Sequence, residues 1–133
     1  IHFFKCYFLS MDFTTSINTC LVKKYADFSG RASRDEFWLF MVPVYLLFSV
    51  ASMIDAMYYP LAGSSSGPIV LILFIVTIVP SIAAGARRLH DVGKSGWWQL
   101  TFYTIVGVPI VLYWWFSKGT DGNNEYEEDS LSK

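Results

Sequence analysis

The residues best placed to do chemistry stand together in one block, Arg87-Arg88-Leu89-His90-Asp91-Val92-Gly93-Lys94-Ser95-Gly96-Trp97-Trp98. His90 beside Asp91 suggests acid–base work, yet neighbours in sequence project in different directions on a helix, and no nucleophile or third metal ligand stands near them. Gly93-Lys94-Ser95 matches the end of a phosphate-binding loop. The first glycine of such a loop would fall at position 88, which is Arg88, and no strand precedes it. No catalytic residue, metal ligand or cofactor is therefore expected. What remains is electrostatics: Arg87, Arg88 and Lys94 can contact phosphates, each cation contributing about 1 kcal/mol near an anionic surface. A second block, Phe28-Ser29-Gly30-Arg31-Ala32-Ser33-Arg34-Asp35-Glu36-Phe37-Trp38, again carries arginine and carboxylate together. The two blocks are expected to pack as one polar cluster, Arg31 and Arg34 meeting Asp91, and Arg87 or Arg88 meeting Asp35 or Glu36. Such a cluster either fixes helix order or makes a docking site for an anionic lipid or a protein partner.

The elements that must hold these blocks are apolar. With 53% hydrophobic and only 16% charged residues and a mean hydropathy of +0.39, the chain is too greasy for an ordinary soluble domain. Residues 68–86 and 97–116 carry no charge, and residues 37–59 carry one, Asp55. About twenty residues at 1.5 Å each cross a hydrocarbon core of roughly 30 Å, so three spans are predicted. Asp55 falls near the far end of its span, where a carboxylate reaches headgroups or water. Each span contains a proline, Pro43, Pro80 and Pro109, which removes a helical hydrogen bond. Trp38, Trp97, Trp98, Trp114 and Trp115 all fall at predicted interfaces, the pattern of an aromatic belt.

Ahead of the spans, residues 1–10 read as an upstream extension, with Met11 the natural start. Ile17, Leu21, Tyr25 and Phe28 then make an apolar stripe beside Lys23 and Lys24, predicting an amphipathic helix that lies along the membrane surface or packs its stripe on the other helices. Gly30 ends that helix, and Ser33 with Glu36 forms a capping box that starts the next one at Ser33. Residues 117–133 form a polar acidic tail. Cys6 and Cys20 lack any metal-ligand spacing and are expected to be structural. The fold class is thus an all-α membrane protein, three transmembrane helices preceded by an interfacial helix, in one polytopic domain over residues 11–126. Lys23, Lys24, Arg31 and Arg34 flank the first span, and Arg87, Arg88 and Lys94 lie in the second loop, while the first loop has no cation. Three spans put both groups on one side, which the positive-inside rule makes cytoplasmic together with the N-terminus. Three full spans place the tail outside; a half-inserted third segment returns it to the cytoplasm.

The two charged blocks closely resemble the signature blocks of the YhaH-like bacterial inner-membrane proteins, domain of unknown function 805, and the resemblance runs from residue 11 to 126. Gly119-Thr120-Asp121-Gly122-Asn123-Asn124-Glu125-Tyr126 is similar to that family's tail pattern, departing from it at Glu127 and Glu128, where the family continues with glycine. The resemblance implies a small multi-pass protein of the bacterial inner membrane and brings no activity with it. The expected function is a non-enzymatic interaction or anionic-lipid-contact component of the envelope, with membrane lipids as partners, a protein or a second copy as further candidates, and no nucleic acid. One alternative is a subunit of an oligomeric transporter or channel using Asp55 and the few span hydroxyls. Another is a lipid-modifying enzyme using His90 and Asp91.

Overall fold

A computed structural model describes residues 13–59, 67–120 and 122. The expected extension at 1–10, the loop residues 60–66, Asp121 and the tail beyond 122 lie outside the described residues. All regular structure among the described residues is helical: α1 (Phe13–Asn18) with a π-helical turn (Thr19–Lys23), α2 (Arg34–Tyr58), α3 (Pro68–Asp91), a 3₁₀ limb (Gly96–Tyr103) and α4 (Gly107–Phe116).

Both long helices start and stop for local reasons. The Ser33 hydroxyl accepts from the Glu36 N–H at 3.2 Å, as a capping box requires, and Asp35 and Glu36 occupy the first turn, where the helix dipole favours negative charge. Pro68 opens α3, where its missing N–H costs nothing. Asp55 reaches across from α2 to accept from the Ile69 and Val70 N–H groups at 3.3 and 2.8 Å. Asp55 is buried, 4% exposed, so the expected headgroup-facing carboxylate is instead a cap that one helix supplies to the other. Gly67 makes the approach possible, since a Cβ there would lie 2.3 Å from Asp55 Cγ. At its other end α3 continues past the expected stop at Ala86 to Asp91. Gly93 then takes φ +73, its N–H donates to His90 O, and the Lys94 N–H donates to Leu89 O at 2.9 Å, the Schellman pattern. Arg87, Arg88, His90 and Asp91 are therefore the last turns of a helix and not a loop, because no glycine or proline stands between Ala86 and Gly93.

α2 and α3 are long and apolar enough to cross a membrane. The N-terminal segment packs against them and does not lie apart on a surface. Ser16 and Cys20, one helical step apart, are wholly buried; Ile17 and Leu21 rest on the core, and Tyr25 and Phe28 fall beyond the helix. Tyr25 has a definite task. Pro80 has no N–H to give the Val76 carbonyl four residues before it, and the Tyr25 hydroxyl donates to that carbonyl at 2.9 Å. Tyr25→Phe is thus expected to cost about 1–3 kcal/mol of stability. In a Pro80→Ala background, where the backbone supplies the missing donor, the same change costs less; equal costs in the two backgrounds, measured by thermal unfolding in detergent, contradict this pairing.

Residues 97–116 depart most from expectation, for they do not form one spanning helix. The 3₁₀ limb is broken at Thr104, and α4 has 10 residues, about 15 Å of helix, or half a hydrocarbon core. The rings of Trp98 and Trp114, which a straight helix would hold about 24 Å apart, meet edge-on with centroids 5.3 Å apart. The segment is a helical hairpin that leaves and re-enters the bundle at one end. Thr101 and Thr104 hydroxyls donate to the Trp98 and Thr101 carbonyls at 2.7 Å, so these polar side chains are satisfied within the limb itself. This fold also moves a predicted interface anchor. Trp115 is in the core at 7% exposure, packed on Phe37 with centroids 4.9 Å apart, while Trp97 and Trp98 remain exposed, and Trp38, half-buried, stacks on Phe116.

Candidate functional site

The site is assembled where the two charged blocks and the start of the tail converge. Ahead of the first block, Ser29 turns its hydroxyl and N–H onto Asp27 Oδ1, which holds that carboxyl below its usual range. Gly30 follows at φ +80, a left-handed conformation that directs the chain back toward α3. The Ala32 N–H donates to Arg87 O at 3.0 Å, so the blocks are joined by backbone before any side chain is considered.

Three arginines and two carboxylates fill the junction, all of them buried. Asp91 divides its two oxygens: Oδ1 accepts from Arg31 Nε at 2.9 Å, and Oδ2 accepts from Arg88 Nη1. Glu36 pairs with Arg87, whose other terminal nitrogen donates to Cys20 Sγ at 3.6 Å. Glu36 therefore leaves its capping box unclosed on the carboxylate side. Burial pushes the Cys20 thiol up from its ordinary value, against the opposing pull of Arg87, so it meets that guanidinium as a neutral acceptor. The Ser16 hydroxyl donates to Glu36 O at 2.6 Å and ties the N-terminal helix to the same point.

Further donors of Arg31 and Arg88 serve the returning hairpin. Arg88 Nε donates to Trp115 O at 3.1 Å and its Nη2 to Ser117 O; Arg31 donates to Thr120 O at 2.6 Å and Gly122 O at 2.7 Å. In return the Thr120 N–H donates to Asp91 O at 2.6 Å. The chain comes so close at Gly119 that a Cβ there would lie 2.1 Å from Asp91 Oδ2. Carbonyl dipoles thus complement the positive charge that two carboxylates leave over. The result is a polar knot of three stretches far apart in sequence.

The structure brings Arg31 to Asp91 and Arg87 to Glu36. It does not bring Arg34 to Asp91: Arg34, Asp35 and Lys94 are exposed. Lys94 lies over the Trp114 ring, 5.4 Å from its centroid, a cation–π contact. Arg87 and Arg88 are 0% exposed, so the expectation that they touch lipid phosphates is corrected; their terminal nitrogens are bonded inside the protein, and of their donors only Arg87 Nε is buried without a partner among the described residues. His90, half-buried, donates from Nδ1 to Gly30 O at 2.9 Å, while Asp91 faces the arginines, so the two neighbours do not act on a common point. Sequence reasoning missed Ser16, Cys20, Ser117 and Gly119 as members of the knot. The carbonyl partners carry no side-chain signal, and only the glycine in Gly119-Thr120 marked a close approach.

The protein of unknown function family DUF805 matches residues 25–128, a range that contains both blocks, the hairpin and the charged residues of the knot. The chain belongs to that family. It is 31% identical to inner membrane protein YhaI of Escherichia coli strain K12 over 110 residues, covering 82% of this chain and 90% of the relative. It is 32% identical to inner membrane protein YhaH of the same strain, covering 82% and 91%. No solved structure matches the chain. With two apolar helices of spanning length, this DUF805 member is a membrane protein whose family carries no assigned activity.

Proposed function

We propose that the protein is a non-enzymatic component of the bacterial inner membrane whose knot presents a cationic face to anionic lipid headgroups. One observation carries the reading: Arg31, Arg87 and Arg88 are turned inward onto carboxylates and carbonyls, which leaves the contact to exposed cations, Arg34, Lys94 and Lys118 beside the knot and Lys23 on the N-terminal segment. The buried arginines fix the shape, and the exposed cations make the contact. The location follows the names of the YhaI and YhaH relatives, and the cytoplasmic side follows the bias of Lys and Arg toward the knot end. In this reading the lipid contact belongs to different residues from those the sequence pointed to.

Each exposed cation is expected to contribute about 1 kcal/mol, roughly fivefold, to a preference for anionic over zwitterionic lipid. Native mass spectrometry of protein released from nanodiscs of mixed phosphatidylglycerol and phosphatidylcholine reads that preference directly. Changing Lys23, Arg34, Lys94 and Lys118 together to Gln is expected to abolish the enrichment of phosphatidylglycerol while leaving the fold intact. An unchanged enrichment in that variant overturns the proposal.

A further inference from the structure

A half-open groove of about 510 Å³ runs between α2, α3 and the 3₁₀ limb. Tyr45 and Phe48 line it from α2, Phe74 and Ser81 from α3, and Gln99 and Tyr103 from the limb. The α3 contribution, at positions 74, 77, 78, 81 and 82, is one helical stripe, so the groove follows the helix axes for about 12 Å. In a spanning helix that direction is the membrane normal. Its end toward the knot is marked by polar atoms. Gln99 Nε2 donates to Ile82 O at 3.1 Å and to Gly96 O at 3.4 Å, which fastens the limb to α3 and leaves the amide oxygen as an acceptor beside Gly85.

We infer that this groove seats one acyl chain of an anionic phospholipid, its headgroup at the Lys94 end. Shape selects the occupant: the groove is open on one side and runs about 12 Å along the membrane normal, the direction in which a single slender acyl chain lies. Volume and mostly apolar lining with a few polar groups are those of a ligand site. Charge selects the headgroup: Lys94, exposed over Trp114, and Arg34 are cations at the knot end of the bundle. The inference rests on the lipid-contact reading only for that choice of headgroup; the seating of the chain stands on the groove.

The test uses the whole protein in phosphatidylcholine nanodiscs doped with phosphatidylglycerol carrying a diazirine in one acyl chain. After photolysis, adducts are expected several-fold more often at Tyr45, Phe48, Leu100, Phe102 and Tyr103, which line the groove, than on the lipid-facing positions Met53, Met57, Leu71 and Ile72. Ser81→Phe, which fills the groove, is expected to remove the first set and keep the second. Even labelling of all apolar faces overturns the inference without need of the variant. So does a cross-link that joins two protein chains through the groove, which would seat a second copy there. A phosphatidylcholine probe that labels the groove equally well overturns the anionic headgroup alone; the phosphatidylglycerol enrichment of the parent protein, read separately by native mass spectrometry, then decides the lipid-contact reading.

Discussion

Asp91→Ala is expected to destabilise the folded protein by about 3–5 kcal/mol, enough to remove most of the folded yield from the membrane. The size follows from where the carboxylate sits. It is 3% exposed, and its two oxygens serve two different guanidinium groups, those of Arg31 and Arg88. Taking it away leaves two buried cations facing each other with only carbonyl dipoles for company. Asp91→Asn keeps the volume but sets an amide N–H₂ against one guanidinium, and so it recovers little. Arg34→Gln, an exposed change in the same block, stays within about 0.5 kcal/mol. Thermal unfolding in detergent separates these outcomes, and a loss under 1 kcal/mol for Asp91→Ala would mean that the knot is no lock. Coupling gives a second criterion: Arg88→Leu added to Asp91→Ala is expected to cost less than the sum of the two, because the partner that was stranded is gone.

Gly107→Ala is the second large effect, and it acts on the hairpin and not on the knot. The Gly107 N–H donates to Thr104 O at 3.1 Å, closing the turn, and a Cβ at this position would lie 1.8 Å from Thr101 O. Backbone cannot yield as a flexible side-chain tip can. A loss of about 1–3 kcal/mol or more is expected, as for a methyl forced into a filled site. The damage should appear as separation of Trp98 from Trp114 and of Ser117 from Arg88. Protease cutting at the loosened tail of the variant, against an intact parent, reports it. If Gly107→Ala unfolds no earlier and is cut no faster than the parent, the turn is not built as described.

Much of the frame is legible in the residues themselves. Gly30 and Ser33 announce a break and a cap, and the uncharged run at 68–86 announces the core of α3, although its stop lies at Gly93 and not at Ala86. The opposite charges of the two blocks suggest that they meet, although Arg34 is left outside while Arg31 enters. The hairpin is harder to read because hydropathy sums over a window, and one span of twenty residues has the same sum as two half-length limbs. Only Gly107 hints at the reversal. Burial of Trp115 follows from the reversal, since folding the segment back carries its last turn onto Phe37. The roles of Asp55 and Tyr25 depend on which carbonyls and N–H groups lack partners, and that becomes visible once the helices are set side by side.

The central claim is that residues 97–116 turn back, so that the start of the tail lies on the same side of the membrane as the knot. Single cysteines at Lys94, Lys118 and Tyr58, in a chain whose native cysteines are serine, test it with a membrane-impermeant maleimide on intact spheroplasts and on inverted vesicles. Lys94→Cys and Lys118→Cys should label from one side, and Tyr58→Cys, at the opposite end of α2, from the other. Labelling of Lys118→Cys together with Tyr58→Cys would make residues 97–116 a full crossing and contradict the knot as a junction of three stretches.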